Sequence, residues 1–187
     1  MKNFLLLVLT VFSLNLTSAQ TKVGGVTLPN SLNYQNKKLI LNGAGVREKL
    51  WIDLYAGGLY LEGKTSDANS ILVSNKPMAI KLHIISKLIT SNKMLDAVNE
   101  GFENSTRGNT APISAEINQF KSLFKEEIAQ NDVFDLIYSP GKGLVILKNG
   151  EEKGVIKGEE FKKALFGIWL ANRPADDSLK EAMLGKS

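Results

Sequence analysis

The chain has 187 residues, 43% hydrophobic and 22% charged, with a formal net charge of +4, one histidine and no cysteine. The missing cysteine excludes disulfides, thiolate metal sites and cysteine nucleophiles, so stability has to come from a packed core. So slight a basic excess, with 7% aromatic residues and no basic run interleaved with them, excludes a nucleic-acid-binding surface.

The N-terminus reads as a leader. Lys2 supplies a positive start, residues 4–16 an apolar run too short to span a bilayer, and Thr17-Ser18-Ala19 a small-residue cleavage site. Together they predict a signal peptide over 1–19, export to a periplasm or out of the cell, and one domain over 20–187. No cysteine follows the apolar run to carry a lipid anchor, and no stable membrane insertion is expected after cleavage.

Residues 23–28, closed by Pro29-Asn30, and 38–41, closed by a Gly-Ala-Gly turn at 43–45, are predicted short strands. The run 50–61 then predicts one long central strand with two largely apolar faces. Trp51, Asp53, Tyr55, Gly57, Leu59 and Leu61 share one face, and Ile52, Leu54, Ala56, Gly58 and Tyr60 the other. Gly57-Gly58 inside it signals close approach by another backbone, a helix or a ligand. A further strand, 78–86, sets Lys81 and His83 opposite Ile80, Leu82 and Ile84.

Helical spacing follows: Met94, Leu95, Val98 and Phe102 behind a Ser91 cap, then Ile117, Phe120, Phe124 and Ile128 behind Ser114. Residues 132–138 return to strand, and 144–147 with 155–156 form a hairpin around Asn149-Gly150. Phe161, Ala164, Leu165, Ile168 and Trp169 mark an amphipathic helix, with a last short one over 174–184. The order predicts an α+β fold, an antiparallel sheet covered on one face by helices.

Arg47 is the leading candidate for chemistry, because it is delivered after the glycine segment into a strand-forming run. One guanidinium fixed in an apolar pocket is a site for an anion or an enolate. The rival reading is an ordinary ion pair with Glu48 or Asp53. Tyr55 is a core tyrosine or a ligand contact. Asn92 and Asn99 are caps or solvated residues, or pocket lining. His83 lacks partners at metal-ligand spacing, and no metal or cofactor is implied. Gly43-Ala44-Gly45 is not a dinucleotide fingerprint, Gly141-Lys142-Gly143 is not a phosphate loop, and no serine sits in a nucleophile elbow.

The segment Leu41-Asn42-Gly43-Ala44-Gly45-Val46-Arg47, the run Gly58-Leu59-Tyr60-Leu61-Glu62, and Ile168-Trp169-Leu170 before Pro174 resemble the chalcone isomerase-like superfamily in its secreted bacterial form. The resemblance implies an open-faced β-sandwich, with a large antiparallel sheet under a helical layer and a ligand cleft between them. Plant enzymes of that superfamily cyclise an enone through phenolate attack, and Arg47 matches their active-site arginine. Their threonine position falls on Tyr55, their tyrosine and asparagine on Asn92 and Asn99, and a last hydroxyl near Leu165 or Phe166. Most of these polar groups differ here. In fatty-acid-binding members an arginine and a tyrosine hold a carboxylate, a pair that Arg47 and Tyr55 resemble more closely. Were the strand unbroken from Arg47, then Arg47, Trp51 and Tyr55 would share a face.

The leading expectation is therefore an exported protein binding a small amphipathic anion, a fatty acid or aromatic carboxylate, through Arg47, Tyr55, Asn92 and Asn99. The alternative is an intramolecular lyase with Arg47 as electrostatic catalyst, and the third reading is a scaffold with a vestigial cleft. The oligomeric state is left open.

Overall fold

A computed structural model describes residues 20–124 and 126–186, and the expected leader, 1–19, lies outside them. Strands β1 (Gln20–Val23) and β2 (Val26–Pro29) form a separate ribbon. Seven more cross one antiparallel sheet in chain order: β3 (Ser31–Tyr34), β4 (Lys37–Lys49), β5 (Ile52–Leu61), β6 (Met78–Ile84), β7 (Val133–Ser139), β8 (Gly143–Lys148) and β9 (Glu151–Ile156). The helices are α1 (Ala68–Val73), α2 (Ser91–Thr106), α3 (Ser114–Ser122), α4 (Glu159–Leu170) and α5 (Asp177–Met183).

The sheet is curled, and each face buries its own cluster. On the helical side, Tyr55, Leu59, Ile80, Leu82 and Leu136 meet Phe102, Phe120, Phe161, Leu165 and Trp169. Phe102 stands edge-on to Phe120 at 6.1 Å, and Phe124 bridges Phe120 and Phe134 at 4.9 and 5.2 Å. Inside the curl, Leu39, Tyr60, Ala79, Ile137 and Val145 make a smaller core joined by Leu32 and Tyr34 from β3 and by Leu147 and Val155 from β8 and β9. Across that curl Lys142 Nζ donates to the Tyr34 hydroxyl at 2.9 Å. The ribbon closes another part of the same face, where Leu28 is fully buried and the Tyr60 hydroxyl donates to the Pro29 carbonyl at 2.8 Å. Two buried faces explain why 52–61 is apolar on both sides.

Several predicted boundaries move. Residues 23–28 are split by a turn at Gly24-Gly25, and β3 and α1 are additional elements. The side-chain cap of α2 is Thr90, whose hydroxyl accepts from the Lys93 amide, rather than Ser91. Helix α3 ends at Ser122, yet Phe124 and Ile128 remain buried, since Phe124 must turn off the helix axis to reach Phe134 on β7.

The largest corrections concern β4 and β5. Gly43-Ala44-Gly45 is no turn: β4 runs straight through it, and the chain reverses at Leu50-Trp51, inside the predicted strand. The glycines clear a seat for α5. A Cβ at Gly43 would stand 2.1 Å from the Ala182 carbonyl oxygen, and one at Gly45 would stand 2.7 Å from the Ala182 Cβ. On β5 Gly57 does the same, beneath Met183 and Leu179. The close approach expected at Gly57-Gly58 is thus made by a helix on one face and by Leu28 of the ribbon on the other. Beside this seat Asn42, unpaired at a bulge in β4, is buried. It donates to the Met183 and Thr65 carbonyls at 2.8 and 3.0 Å and accepts from the Thr65 amide at 2.8 Å, fastening the end of α5.

Gly43→Ala forces backbone apart from backbone, so it is expected to cost about 1–3 kcal/mol and to release α5. Urea unfolding reads the first effect, and faster hydrogen exchange confined to the α5 amides reads the second.

Candidate functional site

Arg47 and Tyr55 face each other across the β4–β5 ladder as register partners. Directly opposite side chains on one face of an antiparallel pair are neighbours, and the Arg47 guanidinium carbon lies 5.8 Å from the Tyr55 ring centroid. Between Arg47/Tyr55 and Glu48/Asp53 the register slips, leaving Leu54 as the extra residue of a bulge. Its carbonyl accepts from the amides of Ile85 and Ser86. The slip changes which β5 side chains serve the helical face. Ile52 and Leu54 join Tyr55 along a cleft, whereas Trp51 and Asp53 do not. Trp51 sits at the hairpin tip and does not share a face with Arg47 and Tyr55, because the strand is broken there.

The cleft measures about 380 Å³ and opens between the end of this hairpin, the β6–α2 loop and α2. Leu50, Ile52, Leu54, Leu88, Ile89 and Met94 give it apolar walls, with Lys49, Lys93, Asp96 and Glu100 also on its lining. Arg47, Tyr55, Met94 and Ala97 form its floor and border a second, inner pocket of about 30 Å³ reaching Leu82, Leu136, Leu165 and Trp169. That inner space holds no more than about two waters.

Tyr55 is buried, and its hydroxyl oxygen accepts from Trp169 Nε1 at 2.9 Å. The oxygen has one proton to give, and that acceptor position is already used, so the O–H is left to donate. Burial pushes the Tyr55 hydroxyl above its ordinary value, opposed by the nearby Arg47 charge and the Trp169 bond, and it stays protonated across the physiological range. Arg47 is half-buried and forms no ion pair among the described residues, Glu48 and Asp53 included. The floor therefore presents a cation and a neutral hydroxyl donor side by side.

Asn92 and Asn99 are exposed, and neither lines the cleft. The face of α2 turned to it carries Lys93, Met94, Asp96, Ala97 and Glu100 instead, positions out of helical phase with 92 and 99. Leu165 and Phe166 are fully buried and offer no hydroxyl. His83 lies away from the site on β6, its pKa lowered by partial burial and then by Lys81, against a hydrogen bond that it donates to the Asn131 side chain. Among the described residues no group of His, Cys, Asp or Glu is arranged to hold a metal ion. Trp169, read from sequence as core, is the residue whose role was missed: its helical stripe shows burial but not the indole N–H that orients Tyr55.

The seven-strand curled sheet, the helical layer on one face, and the arginine floor after a glycine segment coincide with a family model described as chalcone isomerase-like, which matches residues 20–185. The chain belongs to the chalcone isomerase-like family. Among solved structures, a fatty-acid-binding protein of Arabidopsis thaliana superposes with a TM-score of 0.69 at 22% identity, covering 86% of this chain and 92% of that one. At that identity the likeness shows the chalcone isomerase-like fold. No curated protein matches the chain by sequence.

The hairpin that carries Arg47 is also conformationally costly. Two-residue turns with positive φ join β1 to β2, β3 to β4, β4 to β5 and β8 to β9, through Gly24-Gly25, Gln35-Asn36, Leu50-Trp51 and Asn149-Gly150. Only the third uses two bulky apolar residues, at φ 52° and 59°, where a left-handed conformation costs a side chain roughly 1–2 kcal/mol per residue.

Tyr55→Phe strands the buried Trp169 N–H without an acceptor and is expected to lower stability by about 1–3 kcal/mol. In a double-mutant cycle with Trp169→Phe, the paired replacement should cost less than the sum of the two single changes, as measured by chemical denaturation.

Proposed function

We propose that this chalcone isomerase-like protein is exported and binds a small amphipathic anion, a fatty acid or an aromatic carboxylate, in the cleft above Arg47 and Tyr55. The observation that carries the reading is the pairing, at the floor of an apolar cleft, of a guanidinium without an ion-pair partner among the described residues and a buried hydroxyl whose proton is free to donate. A carboxylate accepts from both. The charge-assisted contact contributes about 1.5–3 kcal/mol net, and each methylene laid against the walls about 0.8 kcal/mol before ordering costs.

Size directs the tail. The inner pocket is too small for an acyl chain, so the tail runs outward along Ile52, Leu54, Leu88, Ile89 and Met94, and a volume of about 380 Å³ is within the usual range for small-molecule sites. Export rests on the leader predicted over 1–19. The kinship with a fold that a fatty-acid-binding protein shares supports the choice of ligand class. Cyclisation of an enone draws on the same Arg47, but Asn92 and Asn99 lie outside the cleft and Leu165 and Phe166 bring no hydroxyl. The cleft then lacks the further polar partners which that chemistry uses in the plant enzymes.

Mass spectrometry of natively purified protein is expected to find a co-purifying carboxylic acid that Arg47→Ala loses, with that variant's affinity for a soluble acid such as octanoate reduced roughly tenfold to a hundredfold. Failure of Arg47→Ala to alter either would sink the reading. Affinity should stay level from about pH 6 to pH 9, because the acid is ionised and Tyr55 keeps its proton throughout. It should fall below about pH 5 as the ligand becomes neutral, which calorimetric titration at several pH values checks.

A further inference from the structure

We propose that the tip of the β4–β5 hairpin, together with Leu88, is a docking point for the surface of a lipid bilayer carrying anionic headgroups, so that the mouth of the cleft opens onto the membrane. Three observations converge on it. Leu50 and Trp51 are 77% and 91% exposed, with Leu88 beside the same mouth at 52% and Ile52 at 39%. These four are among only five large apolar side chains exposed in the described residues, the other being Val73 on α1, so the exposure is concentrated at one place. Leu50 and Trp51 also occupy a turn where positive φ is demanded at both positions. Asn149-Gly150 solves the same geometry without strain, and a polar pair would keep this turn solvated as well. A tip unfavourable in both backbone and solvation terms is accounted for when an apolar phase covers it.

The occupant is argued from size and chemistry. Four side chains, two on the turn, one on β5 and one on the β6–α2 loop, are far fewer than the roughly 20–30 residues per side of a standard protein interface, whereas a bilayer interface accepts a small apolar wedge of any outline. Trp51 has the amphipathic ring that settles at headgroup depth, and Leu50 and Leu88 reach the acyl boundary beside it. Lys49 and Lys93 line the mouth along with Asp96 and Glu100, and exposed Lys87 adjoins Leu88 in the chain, so three lysines are at hand for anionic headgroups while the two carboxylates oppose them. Glu48 and Asp53 form a cross-strand pair one step behind it. Leu50, Ile52 and Leu88 belong both to the tip and to the cleft wall, so the apolar path is continuous from the mouth to Arg47. An acid entering carboxylate first would leave its tail trailing toward the bilayer. That last point rests on the proposed ligand, but the docking surface does not.

The test uses the chain from Gln20 onward, which excludes the apolar leader, with ligand-free vesicles of phosphatidylcholine and phosphatidylglycerol in a 7:3 ratio. The protein is expected to co-sediment with them, with a blue shift of tryptophan emission and quenching by brominated lipid, both assignable to Trp51 because Trp169 is buried. Partitioning should weaken severalfold on pure phosphatidylcholine or in high salt. The double variant Leu50→Asn/Trp51→Gly should melt a few degrees higher, as strain is relieved, yet partition at least tenfold less. Equal sedimentation of wild type and variant, or no spectral change, overturns the proposal. So does a concentration-dependent dimer in sedimentation velocity that the same variant abolishes, which would assign the tip to a second copy of the chain. Trp51→Gly alone should bind octanoate as wild type does. Loss of octanoate binding in every form, with vesicle binding intact, would remove the carboxylate reading and leave the docking surface standing.

Discussion

One hydrogen bond inside the apolar interior, from the Trp169 indole to the Tyr55 hydroxyl, holds the cleft end of this molecule together. It joins α4 to β5 across the core, where an unpaired polar group is costly, and so neither side chain is free to turn away. Because the indole can only donate, it takes the acceptor side of the tyrosine and leaves the proton pointing elsewhere. Arg47, the register partner of Tyr55, is set beside that hydroxyl by the ladder itself. The chemistry of the floor is a consequence of sheet register and one helix contact.

Two departures from regular strand geometry convert this floor into a cleft. The bulge at Leu54 shifts the phase of β5, bringing Ile52 and Leu54 to the side of Tyr55. The tight reversal at Leu50-Trp51 stops the sheet short, so that α2 and the β6–α2 loop overhang an open end instead of more strand. Further along β4 and β5 the constraint is the opposite one. There Gly43, Gly45 and Gly57 remove side chains so that α5 can lie on the sheet without a gap. The same two strands are thus sealed by a helix at one end and kept open at the other.

Much of this was readable from local pattern. The Asn149-Gly150 hairpin, the stripes of α2 and α4, and the alternation of β5 from Tyr55 onward all follow from periodicity and turn chemistry. The glycine segment misled because conformational freedom and close packing ask for the same residue. Only a neighbour, α5, distinguishes a turn from a seat. The break at Leu50-Trp51 was invisible for the converse reason: those residues have good strand propensity and poor turn propensity.

By itself the amino-acid sequence determined the fold class and the family and singled out Arg47 as a candidate, since these depend on composition, period and motif, which are properties of the chain taken in order. The tertiary structure alone decided that Tyr55 stands beside Arg47, that Asn92 and Asn99 do not, that Trp169 orients the hydroxyl and that Trp51 reaches solvent. Each of these turns on a bulge, a register or a helix phase relative to a distant element. Single-residue shifts of that kind reverse which way a side chain points while leaving the local pattern almost unchanged.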